Sequence, residues 1–254
     1  MEELFEILHE DEHLLAINKP AGLVCHPTKG DERSSLVGRV RLYLGEDRPV
    51  HFINRLDRET SGLVFVAKTN ETARELRRLW EDRKVTKTYW AIVHGHVRED
   101  EGIIDAPLGS DESSEVAVKD CVRPDGATAQ TRFRVSWRFT RAKDDFTWLH
   151  VEPVTGRKHQ IRIHLQHLGH PIVGDKLYGH DESWYLKFAK DDLVEAEWQK
   201  LILRNQALHA REVRFQWRER DWLFKAEPED AFCDFIETFE SAESGGTDST
   251  GMQD

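Results

Sequence analysis

The stretch Ile53-Asn54-Arg55-Leu56-Asp57-Arg58-Glu59-Thr60-Ser61-Gly62, continued by Leu63-Val64-Phe65-Val66-Ala67, decides how this chain reads. Polar and turn-forming residues give way at once to an unbroken apolar run, the pattern of a loop that feeds a buried strand. Arg55 and Asp57 stand two positions apart. An extended backbone points two such side chains the same way, and Thr60-Ser61-Gly62 then turns the chain. An acid and a base at a strand mouth form either a surface ion pair or the working groups of a site. The stretch by itself leaves both open.

Outward from that loop, strands dominate. Residues 4–9 and 14–18 are predicted as short strands around an acidic turn. Residues 34–44 are predicted as a helix with Ser34 as N-cap, ended by Gly45. The apolar run makes a strand over 63–68. A helix over 71–84 follows, capped by Thr69 or Asn70, with Leu76, Leu79 and Trp80 on its apolar stripe. Residues 86–94 are β-rich. Residues 131–139 alternate, with Phe133, Val135, Trp137 and Phe139 on one side, and pair with 146–154 through a turn at 142–145. A short helix over 159–168 stops at Gly169. Strands recur over 202–210, 212–217 and 222–226. A last helix from Pro228 carries Phe232, Phe235, Ile236 and Phe239 on one face. Strands interrupted irregularly by helices mean α+β rather than alternating βαβ units. Residues 1–240 read as one domain, and 241–254 as a small, polar, acidic, disordered tail.

Composition narrows the class. The chain has 254 residues, 33% charged and 39% hydrophobic, enough for one large core. No apolar run approaches the roughly 18 residues of a membrane span, and no secretory signal opens the chain. Cys25, Cys121 and Cys233 are odd in number and far apart, which favours a reducing compartment, with the cytoplasm as default. A net charge of −11 opposes a nucleic-acid role. The charge is uneven, however. Residues 54–87 hold nine basic residues against six acidic, and 155–176 hold four against one plus four histidines. Each segment therefore carries +3, and the remainder of the chain −17. Such a distribution describes either a basic cleft on an acidic body or two solvated helix faces.

The central stretch resembles the catalytic motif of RluA-type pseudouridine synthases, His-Arg-Leu-Asp-x-x-Thr-Ser-Gly, at every fixed position but the first, where Asn54 stands. Further elements resemble that family in the family's order. They are Asn18-Lys19-Pro20-Ala21-Gly22, Lys87-Thr88-Tyr89-Trp90-Ala91, Thr155-Gly156-Arg157-Lys158-His159-Gln160-Ile161-Arg162-Ile163-His164, Gly169-His170-Pro171-Ile172-Val173-Gly174-Asp175 and Leu208-His209-Ala210. The resemblance implies a mixed, mostly antiparallel sheet with flanking helices, split by a catalytic cleft. It implies no N-terminal RNA-binding domain, because the opening element already lies at Lys19. Substrate choice then rests on the catalytic domain, which suits a stem-loop of rRNA or tRNA.

By motif match Asp57 is the nucleophile, Arg162 its ion-pair partner and Tyr89 the ring that stacks on the flipped uracil. Arg55 matches the residue that replaces the flipped base. Arg55, Asn54, Arg157 and Lys158 are assigned to RNA contact. Asn54 keeps a donor and an acceptor but cannot become cationic as the family's histidine can. The isomerisation involves no redox change or net hydrolysis, so no cofactor and no metal are implied. The expected partner is structured RNA, with no membrane, and the chain is expected to act as a monomer. His159, His164, His167 and His170 invite a rival reading as a metal hydrolase, but their spacing lacks a His-Glu-x-x-His pattern. His164, beside an apolar stripe, reads as a hydrogen-bonded structural residue. The other rival is a non-catalytic RNA-binding module of the same fold.

Overall fold

The computed structural model describes residues 5–26, 34–45 and 48–237. β1 (Glu6–Glu10) and β2 (Leu14–Lys19) form an antiparallel pair. α1 (Leu36–Leu44) follows, capped by Ser35 and not by Ser34, since the Ser35 hydroxyl accepts from Gly38 N. After β3 (His51–Phe52) and the polar loop comes β4 (Ser61–Ala67), buried at all seven positions. α2 (Asn70–Glu81) takes Thr69 as its N-cap, and it ends before residue 84 because Arg83 turns to φ 56°. β5 (Val85–His94), β6 (Glu101–Asp105), β7 (Leu108–Ser110) and β8 (Asp120–Val122) follow.

β9 (Gln130–Arg141) and β10 (Asp144–Pro153) make the expected hairpin. Its turn is tighter than predicted, with Ala142 and Lys143 both at positive φ, as a two-residue type I′ turn requires. α3 (Gln160–His167), α4 (Ser183–Ala189), α5 (Glu195–Leu201), β11 (Leu208–Trp217), β12 (Arg220–Lys225) and α6 (Asp230–Glu237) complete the chain. Phe232 and Phe235 are buried by α6. Phe239 and the tail 241–254 lie outside the described residues.

The main sheet runs β1-β2-β4-β11-β5-β10-β9-β6, with β3 also on β4 and β12 on β11. All its pairings are antiparallel except β4 with β11, which fits the α+β expectation. That parallel joint lies within the first of two cores, which packs residues of β11 and β12 with those of β4. One core packs β2, β4, α1 and α2 together, and the other packs β5, β9, β10, α3 and α6. The joint explains the Thr-Ser-Gly and Leu-His-Ala elements together. Gly62 sits at φ +110°, and a Cβ there would come within 2.4 Å of Ala210 O, so only glycine admits β11 so close. Beside it the Ser61 hydroxyl bonds His209 Nδ1 at 2.8 Å.

The strand predicted over 202–210 begins only at Leu208. Ile202 turns to φ 68°, and 203–207 form a loop whose groups serve neighbouring loops. Arg204 O accepts from Lys176, and Gln206 donates to Thr60 Oγ1 at 2.6 Å. No described helix is long and apolar enough to cross a membrane.

Candidate active site

A cleft of about 440 Å³ opens between the two cores, and Arg55, Asp57, Lys87, Tyr89, Arg157 and Arg162 are among its lining. Asp57 comes from the loop that feeds β4. Leu56 beside it is buried while Arg55 is exposed, so the alternation expected of this segment holds. Cys25 Sγ bonds both the N–H and the C=O of Leu56 at 3.4 Å, which pins the middle of the loop.

Arg162 rises from α3 and is nearly fully buried. Its Nη1 donates to Asp57 Oδ2 at 3.0 Å. Its Nε and Nη2 grip Asp175 at 2.7 and 2.9 Å, a two-pronged contact that fixes the guanidinium plane. Asp175 is completely buried and also accepts from the backbone N–H groups of Leu177 and Tyr178. Burial would raise the Asp175 carboxyl, but Arg162 and those N–H groups hold it below its ordinary range. Asp175 belongs to an element of the family resemblance, yet nothing in its local sequence marks it as the second anchor of Arg162.

α3 is set by the turn before it. Gln160 receives bonds from the Thr155 hydroxyl and Arg157 N, and donates to Gln130 O and Thr131 Oγ1. His159 takes a left-handed conformation at φ 54°. It reaches Tyr178 OH at 3.0 Å, while its Nε2 lies 3.9 Å from Asp57 Oδ1. Burial, with Arg162 adding to it, pushes His159 down to about 4, so the ring is neutral at pH 7.

Tyr89 lies on β5, between Val151 of β10 and Ala210 of β11. Burial and the nearby Asp57 charge both raise its phenol, so the hydroxyl stays protonated. That favours a stacking ring over a proton acceptor. Lys158 Nζ pairs with Asp120 at 3.0 Å, and Arg157 Nε bonds Thr128 O at 3.1 Å. Both side chains are exposed at the cleft.

Asn54 lines the same cleft and is bonded to β4. Its Nδ2 donates to Leu63 O at 3.0 Å, and its Oδ1 accepts from Phe65 N at 2.9 Å. The amide thus acts as a piece of strand that fastens the loop to β4. A neutral side chain with a donor and an acceptor suits that work, and charge is not needed for it.

Two further braces lie outside the sequence expectations. Lys176 Nζ bonds Glu59 Oε1 at 2.6 Å, with both side chains buried. It ties the Asp57 loop to the strand of chain that carries Asp175. Burial pushes the Glu59 carboxyl up and the Lys176 ammonium down. Lys19, fully buried, donates to the carbonyls of Pro20, Leu23 and Arg58, and burial pushes it down to about 8.

The four histidines diverge, and His167 is exposed. His164 is buried between Thr131 Oγ1 and Ala106 O, the structural role expected of it. His170 bonds His94 O, and His159 faces Asp57.

Residues 13–167 match the RNA pseudouridylate synthase family. This chain belongs to that family. The dual-specificity RNA pseudouridine synthase RluA of Yersinia pestis is 40% identical over 178 residues, which are 70% of this chain and 83% of that protein. RluA of Vibrio vulnificus is 37% identical over 220 residues, covering 86% and 80%. The fold is that of human RNA pseudouridylate synthase domain containing 1, with a TM-score of 0.72 at 22% identity, covering 98% of this chain and 99% of that one. Pseudouridine synthases are isomerases that act on RNA, and the family assignment sets the class of chemistry that this cleft serves.

Proposed function

We propose that this pseudouridine synthase isomerises a specific uridine in structured rRNA or tRNA, with Asp57 as the nucleophile. The observation that carries the reading is the Asp57 carboxylate, held 3.0 Å from a buried Arg162 in the cavity it shares with Tyr89. The reaction breaks the bond between N1 of uracil and C1′ of ribose. The base rotates, C5 bonds C1′, the C5 proton leaves and N1 takes up a proton. Asp57 bonds covalently to the sugar or the base ring and is released unchanged, so no net oxidation or hydrolysis occurs.

Arg162 supplies the cation against which the Asp57 carboxylate is held when a base is bound. Asp175 keeps Arg162 in place. The Tyr89 ring stacks on the uracil. Arg55, exposed on the same loop, occupies the space that the extruded base leaves, while Arg157 and Lys158 contact phosphate. Asn54 contributes by holding the loop.

Retention of Asp57, Tyr89 and Arg162 around one cavity supports catalysis over a module that only binds RNA, since binding needs no buried, doubly anchored arginine. The test maps pseudouridine in total RNA from cells that carry the wild-type gene, no gene, or Asp57→Asn. One or a few sites should vanish both without the gene and with Asp57→Asn, while the variant still binds that RNA. Unchanged sites in the Asp57→Asn cells would overturn the assignment.

A further inference from the structure

Arg55, Leu56, Asp57, His159 and Arg162 also line a second cavity of about 320 Å³. Its other walls include Arg58, Tyr185, Phe188 and Gln206. Tyr185 and Phe188 come from α4, an element with no part in the chemistry above. The Arg58 guanidinium lies 5.2 Å from the centre of the Phe188 ring, and Trp198 of α5 sets that ring edge-on at 6.2 Å. The cavity wall thus combines aromatic rings with an exposed arginine, the combination on which nucleobases stack while their phosphates are held.

Gln206 adds a second, independent sign. It is 3% exposed, and its Nε2 donates to Thr60 Oγ1. Its Oε1 is buried with no hydrogen-bond partner among the described residues. A buried amide oxygen without a donor is costly, and such a group at a cavity wall is explained by a ligand that supplies one.

We propose that this second cavity is a subsite for the base next to the target uridine in the same RNA strand. That base stacks on Phe188 and Tyr185 and donates an amino or imino hydrogen toward Gln206. The two cavities share the Arg55–Asp57 wall, and neighbouring nucleotides are joined by a single phosphate, so that phosphate crosses the loop between Arg55 and Arg58. The inference rests on the first cavity's holding the target.

The probe is an RNA hairpin carrying the uridine identified by mapping, made abasic at one flanking position at a time. With wild-type protein, one flanking position should lower kcat/KM about tenfold, the order that one stacked base contributes. Phe188→Ala and Tyr185→Ala should each lower kcat/KM on the intact hairpin, and there the same abasic change should have little further effect. Phe188→Leu, which keeps apolar bulk beside Lys176, should melt as the wild type does yet show the same loss of response. Losses that add at every position, or a wild type indifferent to all flanking bases, would overturn the subsite and leave the proposed function standing. A wild type that modifies no RNA removes both.

Discussion

Replacing Arg162 by Met removes the cation between two carboxylates, and the larger structural consequence falls on Asp175. That carboxylate is wholly buried, and Arg162 provides two of its four hydrogen bonds. Breaking a buried pair by deleting one partner costs about 3–5 kcal/mol. In a chain of this size each kcal/mol moves Tm by roughly 2–4 °C. Arg162→Met is therefore expected to melt roughly 6–20 °C lower at neutral pH. In the wild type the Asp175 carboxyl is held below its ordinary range. Its contribution is complete above the unfolded-state value and is lost as pH falls through the depressed one. In Arg162→Met burial dominates and the carboxyl is raised instead. The penalty is then full at neutral pH and fades as pH falls through that raised value. The gap in Tm between the two proteins should narrow from pH 7 toward roughly pH 5. Adding Asp175→Leu replaces both charges by apolar groups and should recover most of the lost stability. It should not restore pseudouridine formation, because Asp57 still lacks its partner. Thermal melts across pH and modification of the mapped RNA check these outcomes. A gap that is independent of pH, or a double variant with wild-type turnover, would refute the reasoning.

Gly62→Ala should cost about 2–4 kcal/mol, because its Cβ would meet the Ala210 backbone at 2.4 Å and the residue sits at φ +110°. An unchanged urea midpoint would show that β4 and β11 can part without loss. Arg55→Ala should slow modification of a uridine in a folded hairpin about tenfold more than of one already unstacked, since unstacking a base costs a few kcal/mol. Equal losses on the two RNAs would make Arg55 an ordinary phosphate contact.

What the sequence determined by itself is whatever depends on neighbours along the chain. The polar loop before Leu63, the alternation of Phe133 to Phe139, the Thr69 cap and the apolar face of the last helix are all local, and the structure forms them. The resemblance carried Asp57, Tyr89 and Arg162 as a set, and the fold brings all three to one cavity. Tertiary structure decided how those groups are held. Arg162 and Asp57 are separated by 105 positions, and Lys176 and Glu59 by 117. No local pattern encodes such a partner, because it depends on how β4 and β11 are joined at Gly62 and Ala210. The same dependence made Asn54 a fastener of its own loop, since the backbone of Leu63 and Phe65 folds back within its reach. It also made a loop of residues 203–207. Ile202 turns to a positive φ, Arg204 O accepts from Lys176 and Ala207 N donates to Val173 O, so the backbone there is committed outside a strand ladder.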